Sequence, residues 1–155
     1  MKIILFRFEK EKIHFLECIL SSWNLVFGDK EKISLESTIS RWEKYKKILD
    51  ELLHIQTKYS PDIFAYQLPQ KYRGAIKDEE WFANSAILNL YCYQNNLEIL
   101  ELTPVTVREK LSISNKDFKK LLVDKEKEVL ESYTIAKSDK LTDWLIFLFS
   151  LKEKF

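Results

Sequence analysis

Residues 38–67 read TISRWEKYKKILDELLHIQTKYSPDIFAYQ, a helix, a corner and a strand in succession. Ile39, Trp42, Tyr45, Ile48, Leu49, Leu52 and Ile55 recur at steps of three and four, which places them on one face of an α-helix. Lys44, Lys46, Lys47, Glu51 and Lys58 take the opposite face. Pro61 disfavours helical backbone at Ser60, so the helix ends and the chain turns. DIFAYQ is then an unbroken apolar run of strand-forming residues, the pattern of an interior strand covered on both faces. Ile63 and Ala65 should face one side of the sheet, Phe64 and Tyr66 the other. A helix feeding a buried strand is an α/β building block, and any site should lie near Gln67, where the strand emerges.

On the N-terminal side, Lys2–Phe8 and Ile13–Leu20 flank a charged EKEK turn and read as a β-hairpin. Asn24–Phe27 reads as a third short strand closed by Gly28-Asp29. DKEKISLEST follows as a polar connection, with Ser37 or Thr38 capping the long helix. On the C-terminal side, LPQKYRGAIKDEE is a polar loop. Trp81, Ala83, Ala86, Ile87, Leu90 and Tyr91 restore helical spacing up to Asn95-Asn96. Leu97–Leu102 reads as a strand with one wet face. Thr103-Pro104 opens a short helix with Val107 and Leu111 inward. Ser114, with Asp117 three residues on, caps the next helix, whose apolar face is Phe118, Leu121, Leu122, Val129 and Leu130. Ser138-Asp139 starts a last helix, in which Leu141, Trp144, Leu145, Leu148 and Phe149 span too wide an arc for an exposed position. The order gives one α/β domain over residues 1–155, a mixed central sheet flanked by helices.

Composition limits the function. With 46% hydrophobic and 32% charged residues, the chain can bury a full core. Lys and Arg number 25 against 24 Asp and Glu, so binding to nucleic acid requires a local basic patch. Two glycines leave no glycine-rich phosphate loop. Cys18 and Cys92 have no zinc spacing and read as buried thiols. His14 and His54 fall on different elements, which argues against a histidine metal site or a Ser-His triad. The opening MKIILFRFEKEK turns charged too soon for a secretory signal, and Trp144–Phe149 is too short to span a bilayer. The expected compartment is the cytoplasm, with no membrane partner and no small-molecule substrate in view.

SPDIFAYQ, then WFANSAILNLYCYQNN, LEILELTPVTVREKL, a lysine-bearing helix and SDKLTDWLIFLF together resemble the RuvC branch of the RNase H-like nucleases. The resemblance covers residues 40–149 well and the first 35 poorly, and the proline-aspartate strand is its most specific part. It implies a Holliday junction resolvase of DNA recombination, working as a homodimer on branched DNA. Chemistry of that kind needs several carboxylates around two Mg²⁺ ions. The family's first-strand aspartate falls on Phe8, between Arg7 and Glu9, and a second register leaves the catalytic strand out altogether. The strand glutamate falls on Gln67, and the two aspartates of the last helix fall on Lys140 and Asp143. Phe8, Gln67, Lys140 and Asp143 sum to zero charge, so the resemblance implies a degenerate site with Asp143 as a vestige, no metal and no cofactor. Asp143 equally suits a first-turn carboxylate favoured by the helix dipole.

Candidate phosphate contacts are Arg108, Lys116, Lys119 and Lys120, with Lys125 and Lys127 further along the same helix. Asp117, Asp124, Glu126 and Glu128 interleave with them, as on an ordinary solvated face. Lys71 and Arg73, beside Gln70 and Tyr72, suit phosphate contact and base stacking in the polar loop. Three readings remain. The first is a RuvC-like pseudo-nuclease that binds branched or structured nucleic acid. The second is an active Mg²⁺-dependent junction endonuclease drawing carboxylates from Glu9, Asp78, Glu79, Asp139 and Asp143. The third is a non-catalytic assembly subunit, since fold alone implies no activity. For the dimer, Trp42, Trp81 and Tyr91 are the expected partly buried aromatics.

Overall fold

Lys2–Phe8 (β1) and Lys12–Leu20 (β2) form the N-terminal hairpin, paired antiparallel from Lys2↔Ile19 to Phe8↔Ile13. Leu25–Ser34 (β3) adds antiparallel to β2. The helix Arg41–Tyr59 (α1) returns the chain to Ile63–Tyr66 (β4), which lies parallel to β1. Glu79–Gln94 (α2) is the crossover to Glu98–Glu101 (β5), parallel to β4. Pro104–Leu111 (α3) and Asn115–Tyr133 (α4) follow, and Ile146, Leu148, Ser150 and Leu151 belong to a C-terminal helical segment. The strand order is β3-β2-β1-β4-β5. These features come from a computed structural model that describes residues 1–9, 11–21, 25–36, 40–66, 79–133, 146, 148, 150 and 151.

The pleat divides the core into two. Ile3, Leu5, Ile63, Ala65, Leu100 and Leu102 face Val107 of α3, Phe118 and Val129 of α4, and Ile146, Leu148 and Leu151 of the C-terminal segment. Ile4, Phe6, Phe8, Phe64 and Tyr66 face Ile48, Leu52, Ile55 and Tyr59 of α1 and Leu88, Tyr91 and Cys92 of α2. All four residues of β4 are buried, so the strand read from DIFAYQ is interior and covered on both sides. Phe64 is its centre, edge-on to Phe6 at 5.1 Å and stacked on Tyr91 at 6.4 Å between ring centroids. Cys18 and Cys92 are buried free thiols, and burial pushes the Cys92 pKa up to about 12 and that of Cys18 higher still.

Helix ends follow local chemistry. Ser114 and Thr103 cap α4 and α3 as expected; the Thr103 hydroxyl accepts from the Thr106 amide at 3.0 Å. Ser60, Asn96 and Ser112 take left-handed backbone at the three helix exits. The cap of α1 differs from the expectation. It is Ser40, because Glu43 lies three residues on and its carboxylate accepts from the Ser40 amide at 2.8 Å, completing a capping box.

Three further expectations are corrected. The third strand does not stop at Gly28-Asp29; it runs on through DKEKIS to Ser34, with a bulge opposite Glu17. Strand β5 carries packed residues on both faces rather than one, since Leu97 and Ile99 pack toward α2 while Leu100 and Leu102 pack toward α3 and α4, and Glu98 at its start is exposed. The apolar stripe of α1 is two stripes: Ile48, Leu52, Ile55 and Tyr59 face the sheet, whereas Trp42, Leu49 and Leu53 are exposed about a third of a turn away.

Candidate nucleic-acid interface

The carboxyl ends of β1, β4 and β5 lie side by side, with Phe6 opposite Tyr66 and Tyr66 opposite Glu101. Phe8, the last residue of β1, is 6% exposed. Its ring is parallel to Phe6 at 6.4 Å and edge-on to Tyr66 at 6.2 Å. It thus belongs to the aromatic core under α1 and α2. Pleating turns Arg7 to the other face, the one that holds Ile3, Leu5 and the C-terminal segment. The Arg7 guanidinium lies 3.2 Å from the Glu9 carboxylate, which is also 3.7 Å from His14 Nε2. Glu9 is therefore committed to two basic neighbours. Burial, with Arg7 and Lys30 in support, holds the His14 pKa below its ordinary 6.5 against the opposing pull of Glu9.

Across the strand ends, the Tyr66 hydroxyl donates to Glu101 at 3.1 Å and accepts from the Asn89 amide at 2.9 Å. Asn89 also donates to the Ser85 carbonyl at 2.8 Å, which fixes its amide on α2. Burial raises the Tyr66 pKa, Asn89 works against that rise and Glu101 adds to it, so the hydroxyl stays protonated and donates. The sequence reading missed this trio. Glu101 looked like the wet side of a strand, and Asn89 carried no periodic signal.

Beyond β5 the surface turns basic. Arg108 is half-buried on α3, its Nε donating to the Pro104 carbonyl at 3.3 Å. Lys116, Lys119 and Lys120 are exposed and lie within one arc of α4. The interleaved acids are partly spoken for, since Asp117 bonds the Ser114 cap and Glu128 bonds Lys125 at 2.8 Å. Lys127 approaches Glu131 at 4.0 Å. Among the described residues no ion pair is formed by Lys116, Lys119 or Lys120. Lys71, Arg73, Gln67, Asp78, Asp139, Lys140 and Asp143 lie outside the described residues. Glu79, at the start of α2, is exposed. The structure thus brings Arg7, Glu9 and His14 together, and gives Arg108 and the three α4 lysines no direct contact with them.

No protein-family model and no curated protein sequence matches the chain. Solved structures do. RuvC of Thermus thermophilus superposes with a TM-score of 0.68 at 11% identity, over 97% of this chain and 92% of that one. T. thermophilus RuvC in complex with Holliday junction substrate gives 0.67 at 12% identity, over 97% and 92%. This chain has the RuvC-like resolvase fold. The yeast mitochondrial Holliday junction resolvase Ydc2 agrees at 0.55 and 12% identity, over 98% of this chain and 76% of that one. The architecture is the RNase H-like one, a mixed five-stranded sheet flanked by helices.

The two residues at the end of β1 face opposite sides of the sheet, Phe8 toward α1 and α2 and Arg7 toward the C-terminal segment. One residue of slip exchanges the faces. Neither side chain is a carboxylate. The described donors at this edge do not fit a pair of magnesium ions, because Arg7 is a cation, Glu9 is ion-paired and Glu101 accepts from a tyrosine. Among the described residues no three of His, Cys, Asp and Glu form a metal-holding group. Tyr91 is also corrected as a subunit contact: it is 6% exposed and its hydroxyl donates to Gln56 within the chain.

Proposed function

We propose that this protein is a RuvC-like pseudo-nuclease that binds branched DNA as a homodimer and does not cleave it with magnesium. The observation that carries the loss of cleavage is the end of β1. There Arg7 is locked to Glu9 at 3.2 Å, and its neighbour Phe8 is sealed in the aromatic core. A guanidinium repels the divalent cations that the chemistry requires. Asp143 is then a relic of the site rather than a ligand.

Binding is assigned to Arg108, Lys116, Lys119 and Lys120, with Lys71 and Arg73 of the 67–78 segment as further phosphate contacts. The fold that T. thermophilus RuvC uses on a Holliday junction supports branched DNA as the ligand. Exposed apolar residues support the dimer. Phe82, Ala86, Leu90 and Tyr93 form one stripe on α2, and Trp42, Leu49 and Leu53 form another on the adjoining α1. Two buried, unpaired cysteines suit a reducing compartment such as the cytoplasm, and among the described residues no helix is long and apolar enough to cross a membrane.

The test is a mobility shift comparing a four-way junction with a linear duplex made of the same base pairs. The expected result is a discrete complex with the junction at a protein concentration that leaves the duplex free. Equal affinity for the two, or none for either, would overturn the reading and leave the assembly-subunit alternative.

A further inference from the structure

Phosphate contacts meet the same backbone on a linear duplex and on a junction, so Arg108 and the α4 lysines do not by themselves select a branch. What a branch point adds is a break in base stacking, which leaves the faces of base pairs uncovered. A flat aromatic side chain at the DNA-binding edge of the fold is the group that answers such a face.

Trp42 stands at that edge. The Tyr59 carbonyl, at the end of α1, accepts from Lys2 Nζ at 3.0 Å, so α1 ends beside the start of β1. Its 19 residues span about 28 Å, which returns its first turn to the carboxyl ends of β1 and β4. Shortly before the Ser40 cap, the Leu35 amide donates at 2.8 Å to the Glu11 carbonyl, in the turn that follows β1. In open α/β sheets this edge is where ligands bind.

The indole of Trp42 is 73% exposed and belongs to neither core. The fold does not need it. Ser40 and Glu43 close the capping box, and Ile48, Leu52, Ile55 and Tyr59 cover the sheet. Tyr45 and Lys46, three and four residues on, share its side of the helix, and Arg41 precedes it. Arg41 and Lys46 are exposed. Cations beside an aromatic ring suit a base with its phosphates. They do not suit a partner subunit, since a two-fold contact centred on Trp42 would set both cations against their own copies. Trp42 is also the end of the α1 stripe, about 10 Å along the axis from Leu49. A dimer closed over Leu49 and Leu53 therefore leaves the indole at its rim.

We propose that Trp42 is the branch-reading residue of this protein: its indole stacks on an uncovered base at the junction centre, with Arg41 and Lys46 on the flanking phosphates. The inference rests on the reading that the protein binds branched DNA, and it supplies the selectivity that phosphate contacts lack. Stacking tolerates any base, so it reads the shape of the DNA and not its sequence.

The experiment measures affinity for a four-way junction and for a linear duplex by fluorescence anisotropy, at about 50 and about 200 mM salt, for the wild type, Trp42→Phe and Trp42→Ala. Sedimentation of each protein gives its oligomeric state. Loss of one stacked base weakens junction binding by Trp42→Ala about 5- to 150-fold, by the same factor at both salts, and leaves duplex binding and the dimer unchanged. Trp42→Phe keeps most of the junction affinity. Unchanged junction binding by Trp42→Ala, or an equal loss on junction and duplex, would overturn this inference alone. A monomeric Trp42→Ala would mark the indole as a subunit contact and overturn it as well. No junction binding by the wild type would overturn the underlying reading and the inference with it.

Discussion

Neutralising the α4 lysines gives a quantitative prediction. Lys116, Lys119 and Lys120 are exposed on one arc of the helix and have no ion-pair partner among the described residues, so replacing all three by Gln removes charge without uncovering a carboxylate. Each phosphate neutralised on B-form DNA contributes about −0.9 to the dependence of log K on log salt. Together with Arg108 the three lysines contribute about −3.6, a loss of roughly 150-fold in affinity between about 50 and about 200 mM salt. The triple variant retains only the Arg108 part, so the slope falls by about 2.7 and that salt-driven loss shrinks by roughly 40-fold. A filter-binding titration of a four-way junction at four salt concentrations measures both slopes. A variant slope within about 0.5 of the wild-type value would mean that fewer than one of these lysines meets a phosphate, and the interface assigned to α4 would be refuted.

Other outcomes follow from the same geometry. Leu90→Asp and Tyr93→Asp, both on the exposed α2 stripe, should give a monomer by sedimentation with an unchanged circular dichroism spectrum; a persistent dimer places the contact elsewhere. Phe64→Ala opens a cavity against Phe6 and Tyr91 and should cost about 3–5 kcal/mol in urea melts, with Phe64→Leu costing roughly 1.5. Equal costs for the two would show that the site is not close-packed. By NMR titration His14 should ionise below 6.5, and Glu9→Gln should lower it further, since Glu9 is what raises it. With its folded pKa depressed, His14 contributes stability above 6.5 that is lost as pH falls through the folded value; a rise in the variant contradicts the assignment.

The central strand was legible because burial on both faces makes IFAY continuously apolar, and a proline corner marks its start. Strand β3 was hidden by its position at the sheet edge. Its DKEK run has no apolar alternation to report, because one face bonds Lys58 and Tyr59 of α1 and the other meets solvent. Ser37, Thr38 and Ser40 compete as caps in the sequence, and only the spacing to Glu43 separates them. The candidate site was less legible than the fold. Which face a residue takes at the end of β1 turns on a single position, so the faces of Phe8 and Arg7 are told apart only once the pairing to β4 is known. Arg7 and His14 are likewise brought together only by the antiparallel register of β1 and β2.

The most direct test is incubation of the purified protein and a four-way junction with Mg²⁺ or Mn²⁺, beside an Asp143→Asn variant. The account predicts a stable protein–junction complex, no strand scission by either protein, and the same affinity for both. Metal-dependent cleavage by the wild type that is abolished in Asp143→Asn would contradict it, and would show that a working metal site is assembled despite Arg7 at the end of β1.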